Sequence, residues 1–281
     1  MEDYFQSKRL LFEKGPKVAV VNVDDPYGRR LAGEFECLTF SAEGAAADFV
    51  ASDVSFDAAG AEFTVNPPPT GRNVAPGATF RPVGVKTRLP GHFNVANALG
   101  AFATATAMGV PPQAASEGLA RAERVPGRFE PIDEGQPFVV LVDYAHTPDS
   151  LENLLGAARR LTEGKVIAVF GAGGDRDRAK RPKMGQAGAS LSDLAIVTSD
   201  NPRSEDPGAI IEEILAGIGN GAVVEVEPDR RAAIALALSR AEPGDSVVIA
   251  GKGHEQGQEF EGGRKVPFDD REVAREELRK L

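Results

Sequence analysis

The chain has 281 residues, 42% of them apolar, with a formal net charge of −10 and one cysteine, Cys37. That length holds one large domain or two ordinary ones, and the acidic balance argues against nucleic acid or an anionic membrane as the main partner. A single thiol excludes an internal disulfide framework and a cysteine zinc site and points to a reducing, cytoplasmic setting. No run of about 18 apolar residues occurs, and the amphipathic, mixed-charge N-terminus does not read as a signal peptide.

Residues 2–14 are expected to form a helix with Tyr4, Leu11 and Phe12 near one face and Lys8 between them, stopped by Gly15-Pro16. Lys17 to Val23 reads as a strand that ends in Asn22-Val23-Asp24-Asp25-Pro26. Residues 36–66 read as short strands closing in Pro67-Pro68-Pro69-Thr70-Gly71, and Phe80 to Leu89 as one more. Pro90-Gly91 opens an Ala-rich helix over roughly 93–108, and a second helix follows Pro111-Pro112 to about Arg124. This half is mixed α and β.

From residue 138 the pattern becomes regular. Apolar runs at Phe138–Val142, Val166–Phe170, Leu194–Val197, Ala222–Val226 and Val247–Ala250 alternate with helical patterns. The runs are nearly continuous, as in strands buried on both faces. Thr147 is placed to cap a helix with Pro148 in its first turn and Leu151, Leu154, Leu155, Ala158 and Leu161 as its apolar stripe. Asp206-Pro207 repeats the device before Ile210, Ile211, Ile214, Leu215 and Ile218. These features predict an α/β protein whose second part is a doubly wound, Rossmann-like parallel sheet. The boundary falls near Val125-Pro126-Gly127, dividing the chain into 1–127 and 128–281.

Ligands of open parallel sheets bind outside the carboxyl ends of the strands. Four polar loops fall there: Asp143 to Asp149, Gly171 to Asp177, Thr198 to Pro207, and Gly251 to Glu255. The third packs two carboxylates, an amide and a guanidinium into Asp200, Asn201, Arg203 and Glu205. Arg offers a planar fork for a carboxylate and Asp an acceptor for an ammonium, a combination that suits an amino acid. A capped turn between strand and helix is the competing reading. His92, His146 and His254 all lie in such segments, but their spacing is not that of a zinc site; hydrogen bonding to a nucleotide or orienting a loop suits them better. Gly171-Ala172-Gly173-Gly174 is not a dinucleotide fingerprint; its glycines would let backbone N–H groups approach an anion, with Arg176 adding charge. Gly251-Lys252-Gly253 is not a P-loop, and no Gly-x-x-x-x-Gly-Lys-Ser/Thr stretch occurs in the 281 residues.

Taken together, Tyr4-x-x-x-Lys8, Leu89-Pro90-Gly91-x-Phe93-Asn94-x-x-Asn97, Gly127-Arg128-Phe129-Glu130, Asp143-Tyr144-Ala145-His146-Thr147-Pro148, Gly171 to Arg181, Asp200-Asn201-Pro202-Arg203 and Gly251-Lys252-Gly253-His254-Glu255 resemble the Mur ligases of peptidoglycan synthesis. The resemblance runs the length of the chain and is nearest to the type that adds the third residue of the stem peptide. It implies an ATP-dependent ligase that activates a carboxylate as an acyl phosphate for attack by an amine, here adding meso-diaminopimelate to UDP-MurNAc-L-Ala-D-Glu. It implies that Asp200, Asn201, Pro202 and Arg203 select the amino acid, with Arg176, Gly251 and Glu255 completing the pocket and Glu255 pairing with an ammonium. Arg203 and Arg176 would grip the second carboxylate of meso-diaminopimelate; lysine, lacking it, would leave buried arginines unpaired at a cost of about 3–5 kcal/mol. Lys8 would be carbamylated and so become an oxygen ligand for Mg²⁺. Asn94, Asn97, Arg128, Asp143 and His146 would lie at the ATP.

The family pattern also includes a UDP-sugar domain and a P-loop that these residues do not contain. Residues 1–127 would therefore be the C-terminal part of the central ATP-binding domain, with apolar surface left bare, and 128–281 the amino-acid-binding ligase domain. Two functional readings follow: a truncated or split diaminopimelate ligase that needs a P-loop-bearing fragment, or a non-catalytic binder of diaminopimelate or nucleotide. A lysine-adding or folylpolyglutamate-type ligase is a weaker rival.

Overall fold

An acceptor side chain followed by proline starts three helices in this chain, because the acceptor satisfies free N–H groups and proline has none to satisfy. In the computed structural model, which describes residues 2–57, 59–66 and 81–281, Asp25, Thr147 and Asp206 each accept a backbone N–H of the helix they begin. Pro67 to Gly71 and Phe80, expected to close one strand and open another, lie outside the described residues. The chain divides into two units, Met1–Glu123 and Arg124–Leu281.

The first unit runs α1 (Glu2–Glu13), β1 (Val20–Asn22), α2 (Pro26–Glu34), β2 (Leu38–Ser41), β3 (Phe49–Asp57), β4 (Gly60–Asn66), β5 (Val83–Thr87), α3 (His92–Ala107) and α4 (Pro112–Arg121). Its sheet has the order β1-β2-β3-β4-β5, parallel through β3 and antiparallel beyond. Phe49, Phe63, Val65 and Val85 from the sheet meet Leu99 and Phe102 of α3 in the core. The inward face of α1 is not the expected one: Tyr4 and Leu11 are 62% and 63% exposed, whereas Phe5 is buried. The reason is α2, which the sequence reading did not place. Its Tyr27 ring lies 5.2 Å from Phe5, and its Arg30 and Glu34 pair with Glu2 and Arg9 at 2.9 and 2.5 Å. Phe35 just beyond it meets Phe12 at 5.7 Å. Residues 2, 5, 9 and 12 thus form the docking stripe, a spacing that keeps them on one helical face.

The second unit runs β6 (Glu130–Pro131), β7 (Val139–Asp143), α5 (Pro148–Leu161), β8 (Val166–Phe170), α6 (Lys180–Leu191), β9 (Leu194–Val197), α7 (Pro207–Leu215), β10 (Val224–Val226), α8 (Arg230–Arg240), β11 (Ser246–Ala250), β12 (Gly257–Glu259), β13 (Lys265–Pro267) and α9 (Asp270–Leu278). The main sheet has the order β10-β9-β8-β11-β7-β6, parallel except where β6 pairs β7. Every residue of β8 and β11 is buried, because helices cover both faces. Val140, Val142, Ile167, Val169, Val247 and Ile249 face α8 and α9 in one core; the residues alternating with them face the side where α5, α6 and α7 pack. The predicted α/β, doubly wound second part is therefore present. The edge strand β6 and the β12–β13 hairpin were not foreseen.

Candidate functional site

β7, β8, β9 and β11 are parallel, so their carboxyl ends open on one edge of the sheet. The four loops there interlock. Gly251 N–H donates to the Asp143 carbonyl at 3.1 Å, and Gly174 N–H to the Asn201 carbonyl at 2.9 Å. Lys180 at the start of α6 donates from Nζ to the His146 carbonyl at 2.7 Å. Burial pushes the Lys180 amine below its ordinary value, against the pull of Asp200 and Asp177.

Two glycines of the β8 loop also meet a packing demand that the sequence reading did not name. A Cβ on Gly171 would stand 2.3 Å from the Thr198 carbonyl oxygen, and one on Gly174 1.9 Å from that of Pro202. They let the β8 and β9 loops approach each other, and the Gly174 N–H is spent on Asn201 rather than on an anion.

At the centre sits Lys252, fully shielded from solvent. Its Nζ donates to Asn201 Oδ1 at 2.8 Å and Glu255 Oε2 at 3.2 Å, and stands 3.5 Å from Asp200 Oδ1. Asn201 Nδ2 also donates to Glu255 Oε2 at 2.9 Å. One ammonium therefore faces two carboxylates. Asp200, itself buried, keeps Oδ1 without a hydrogen-bond donor. A second ammonium suits that cluster electrostatically, since a buried carboxylate lacking a donor is costly. The sequence pattern gives Gly251 and Glu255 of this loop a role but none to Lys252; a Lys between two glycines at a buried strand end was the available signal. Gly251 has φ +124°, and a Cβ there would come to 2.9 Å of Asp200 Oδ2.

Arg203 borders the cluster with φ +52°, unusual for a non-glycine residue. Its Nε donates to Glu259 Oε2 at 3.0 Å and its Nη1 to the Gly174 carbonyl at 2.7 Å. Arg176 flanks the same spot, since a Cβ on Gly173 would lie 3.1 Å from Arg203 Nη1 and 3.9 Å from Arg176 Cγ. Neither arginine is buried as expected: Arg176 is exposed and the Arg203 side chain is 22% exposed. Pro202 is buried beside them.

Two buried arginines brace these loops, and sequence reasoning singled out neither role. Arg230 makes two bonds of 2.8 and 2.7 Å to Asp270 and donates to the Ala250 carbonyl at 2.9 Å and, more loosely, to that of Ser199 at 3.4 Å. It thereby fixes the residues just before Gly251 and Asp200. Arg181 grips both oxygens of Glu205 at 2.7 and 2.9 Å and Glu213 at 2.8 Å. The Arg181 guanidinium, aided by the Asp175 N–H, holds the Glu205 carboxyl down to about 2.

At the end of β7, Asp143 accepts from the backbone N–H groups of Phe129 and Ala145, each at 2.7 Å. Burial pushes its carboxyl up, against those two donors. Arg128 lies 4.7 Å over the Tyr144 ring, with His146 and His254 at 4.7 and 5.6 Å from the same ring. In the first unit, Asn94 is buried at the start of α3 and donates to the Pro90 carbonyl at 2.8 Å, while exposed Asn97 donates to Asn94 Oδ1 at 3.2 Å. Lys8 is exposed on α1, its Nζ 5.2 Å from the Tyr4 ring centre. Among the described residues no group of three or more His, Cys, Asp or Glu side chains is gathered to hold a metal ion, and no helix is long and apolar enough to cross a membrane.

The sequence profile of the Mur ligase middle domain matches residues 1–105, and that of the Mur ligase, glutamate ligase domain matches residues 127–253. The UDP-N-acetylmuramoyl-L-alanyl-D-glutamate–2,6-diaminopimelate ligase of Streptomyces coelicolor is 50% identical over 289 residues, taking in 100% of this chain and 55% of its own length. The protein of the same name from Thermosynechococcus vestitus is 47% identical over 290 residues, with 99% and 55% covered. The chain spans about half the length of the curated relatives it matches. A solved UDP-N-acetylmuramoyl-L-alanyl-D-glutamate–2,6-diaminopimelate ligase superposes with a TM-score of 0.63 at 36% identity, over 99% of this chain and 56% of that one. A pseudomurein peptide ligase type C from Methanothermus fervidus reaches a TM-score of 0.68 at 18% identity, over 99% and 59% respectively, a likeness of fold alone.

Proposed function

Because the chain belongs to the Mur ligase family, carrying its middle and glutamate ligase domains, we propose that it is the part of an ATP-dependent ligase that receives meso-diaminopimelate for addition to UDP-MurNAc-L-Ala-D-Glu. The observation that carries this reading is the pairing, on one sheet edge, of a carboxylate-rich cluster with an arginine fork. Asp200 and Glu255, which share the Lys252 ammonium and leave Asp200 Oδ1 without a hydrogen-bond donor, take the ligand's ammonium. Arg203, with Arg176 beside it, takes the adjacent carboxylate. Asn201, Pro202 and Gly251 shape the space between.

ATP supplies the phosphoryl group that activates the acceptor carboxylate. In the second unit Arg128, stacked on Tyr144, and His146 are the proposed nucleotide contacts; Asp143 acts by fixing the backbone of Phe129 and Ala145. In the first unit Asn94 and Asn97 have the corresponding role at the start of α3. Lys8 is exposed and therefore accessible to carbamylation, which would give one oxygen ligand for Mg²⁺. Among the described residues no group of three or more His, Cys, Asp or Glu side chains is gathered to complete that coordination. In the family pattern a P-loop cradles the transferred phosphoryl group, and these 281 residues hold no such stretch; a separate fragment or the remainder of a longer chain would supply it. A cytoplasmic setting suits substrates of this kind.

Calorimetric titration with meso-diaminopimelate, and with L-lysine as control, tests the reading. Saturable binding of the first with much weaker binding of the second is expected. Equal affinities would remove the second carboxylate from the recognition and with it the proposed substrate.

A further inference from the structure

Glu259, on β12, touches the site loop through three of its groups. Its N–H donates to Asn201 Oδ1 at 3.0 Å, its carbonyl accepts the Arg203 N–H at 3.0 Å, and its carboxylate accepts Arg203 Nε at 3.0 Å. The next residue, Phe260, forms a parallel β-bridge with Arg203. The β12–β13 hairpin thus extends alongside the loop and brings its own carboxylate to the side edge of the guanidinium.

The donor count on Arg203 gives this contact its meaning. A guanidinium has five N–H groups. Nε is held by Glu259 and one Nη1 hydrogen by the Gly174 carbonyl. Three remain, one on Nη1 and two on Nη2, and a carboxylate that meets Nη1 and Nη2 end-on is gripped with two parallel bonds. An arginine side chain otherwise has ample rotamer freedom to lose on binding. The Arg203 side chain is 22% exposed, so burial alone does not fix its orientation.

We propose that Glu259 is a positioning residue that aims Arg203 end-on at the carboxylate of an amino-acid ligand and so sets the selectivity of the site. The inference rests on the reading of Arg203 as a carboxylate reader. Glu259 touches the arginine rather than the ligand, and acts by removing rotamer freedom before binding. The acceptor oxygen on Nε is the essential element, and a glutamine amide oxygen supplies it as well.

Two variants and two readouts test this. Glu259→Ala is expected to weaken meso-diaminopimelate binding by roughly tenfold or more, the scale of a lost charge-assisted hydrogen bond, with L-lysine binding and the melting temperature little changed. Glu259→Gln is expected to stay within about threefold of the unsubstituted protein, since its oxygen still accepts from Nε. In an Arg203→Ala background, Glu259→Ala should add nothing further. If Arg203→Ala weakens binding but Glu259→Ala does not, the positioning role is wrong while the arginine reading stands; if Arg203→Ala itself has no effect, the arginine reading fails. A glutamine variant as poor as the alanine variant, or a parallel fall in melting temperature, also overturns the proposal. The second readout needs no ligand. The Arg203 Nε–H resonance should be shifted and protected from exchange in the unsubstituted and Gln proteins and lose both properties in the Ala protein. An unprotected Nε–H in the unsubstituted protein sinks the clamp whatever the ligand does.

Discussion

Lys252 Nζ lies 2.8 Å from Asn201 Oδ1 with no exposed surface of its own. The ammonium stands 3.5 and 3.2 Å from the carboxylates of Asp200 and Glu255. Lys252→Met keeps the stem and removes the charge, leaving two carboxylates facing a buried amide. Breaking a buried pair on one side costs about 3–5 kcal/mol. Urea unfolding at neutral pH should show a loss of that order, and meso-diaminopimelate binding should disappear with it. A variant as stable as the unsubstituted protein would mean that the cluster is solvated.

Arg203→Ala is expected to weaken meso-diaminopimelate binding far more than L-lysine binding. Arg203→Lys should also be harmful, because a point charge does not reproduce a two-pronged grip. The structure lowers the expected penalty against lysine: with Glu259 and Gly174 already on the guanidinium, a ligand lacking the second carboxylate does not leave Arg203 unpaired. Paired titrations of the two amino acids measure the difference directly.

Neighbouring glycines of the β8 loop should respond differently to alanine. At Gly174 the added methyl would stand 1.9 Å from the Pro202 carbonyl oxygen, which belongs to backbone. The loops must separate, with a stability loss of about 1–3 kcal/mol, as for other overpacked sites. At Gly173 it would meet the end of the Arg203 side chain at 3.1 Å, which can swing away. Gly173→Ala should therefore leave the melting temperature nearly unchanged while weakening meso-diaminopimelate binding.

Glu205 gives the second unit an acid limb. Arg181 and the Asp175 N–H hold its carboxyl down from 4.5 to about 2. A carboxyl depressed on folding contributes stability that is present above its unfolded value and lost as pH falls through the folded one. Stability should therefore fall between about pH 4.5 and 2, the two ends of that shift. Glu205→Gln should be less stable than the unsubstituted protein at pH 7, with the gap closing toward pH 2. Chemical denaturation at pH 7 and pH 3 would measure both; a gap independent of pH would assign the effect to packing.

The buried strands were legible because each is a short, nearly continuous apolar run, and α5 and α7 because a capping residue and a proline announce them. The parallel order alone puts Asp143, Gly171, Asp200 and Gly251 on one edge. The hidden parts share a cause. Arg181 and Arg230 are cations in polar sequence, Lys252 follows an apolar strand between two glycines, and the partners that pair with them come from distant segments: Glu205 and Glu213, Asp270, and Asn201. The β12–β13 hairpin follows a Gly-rich run with no alternation to mark it, so Glu259 gave no signal. On α1 the apolar residues were visible, but the choice between the Tyr4 face and the Phe5 face depended on α2.

The position of β11 has a consequence for how the molecule comes into being. It fills the slot between β7 and β8, two strands made well before it. As the chain leaves the ribosome, those earlier strands wait with an open gap and unpaired edges, a state prone to wrong partners. The gap closes only when Ser246–Ala250 arrive, and the charge of Arg230 is compensated later still, by Asp270 at the start of α9. The site is therefore completed last. A chain ended before Asp270 would lose not a peripheral helix but the setting of the β9 and β11 loops.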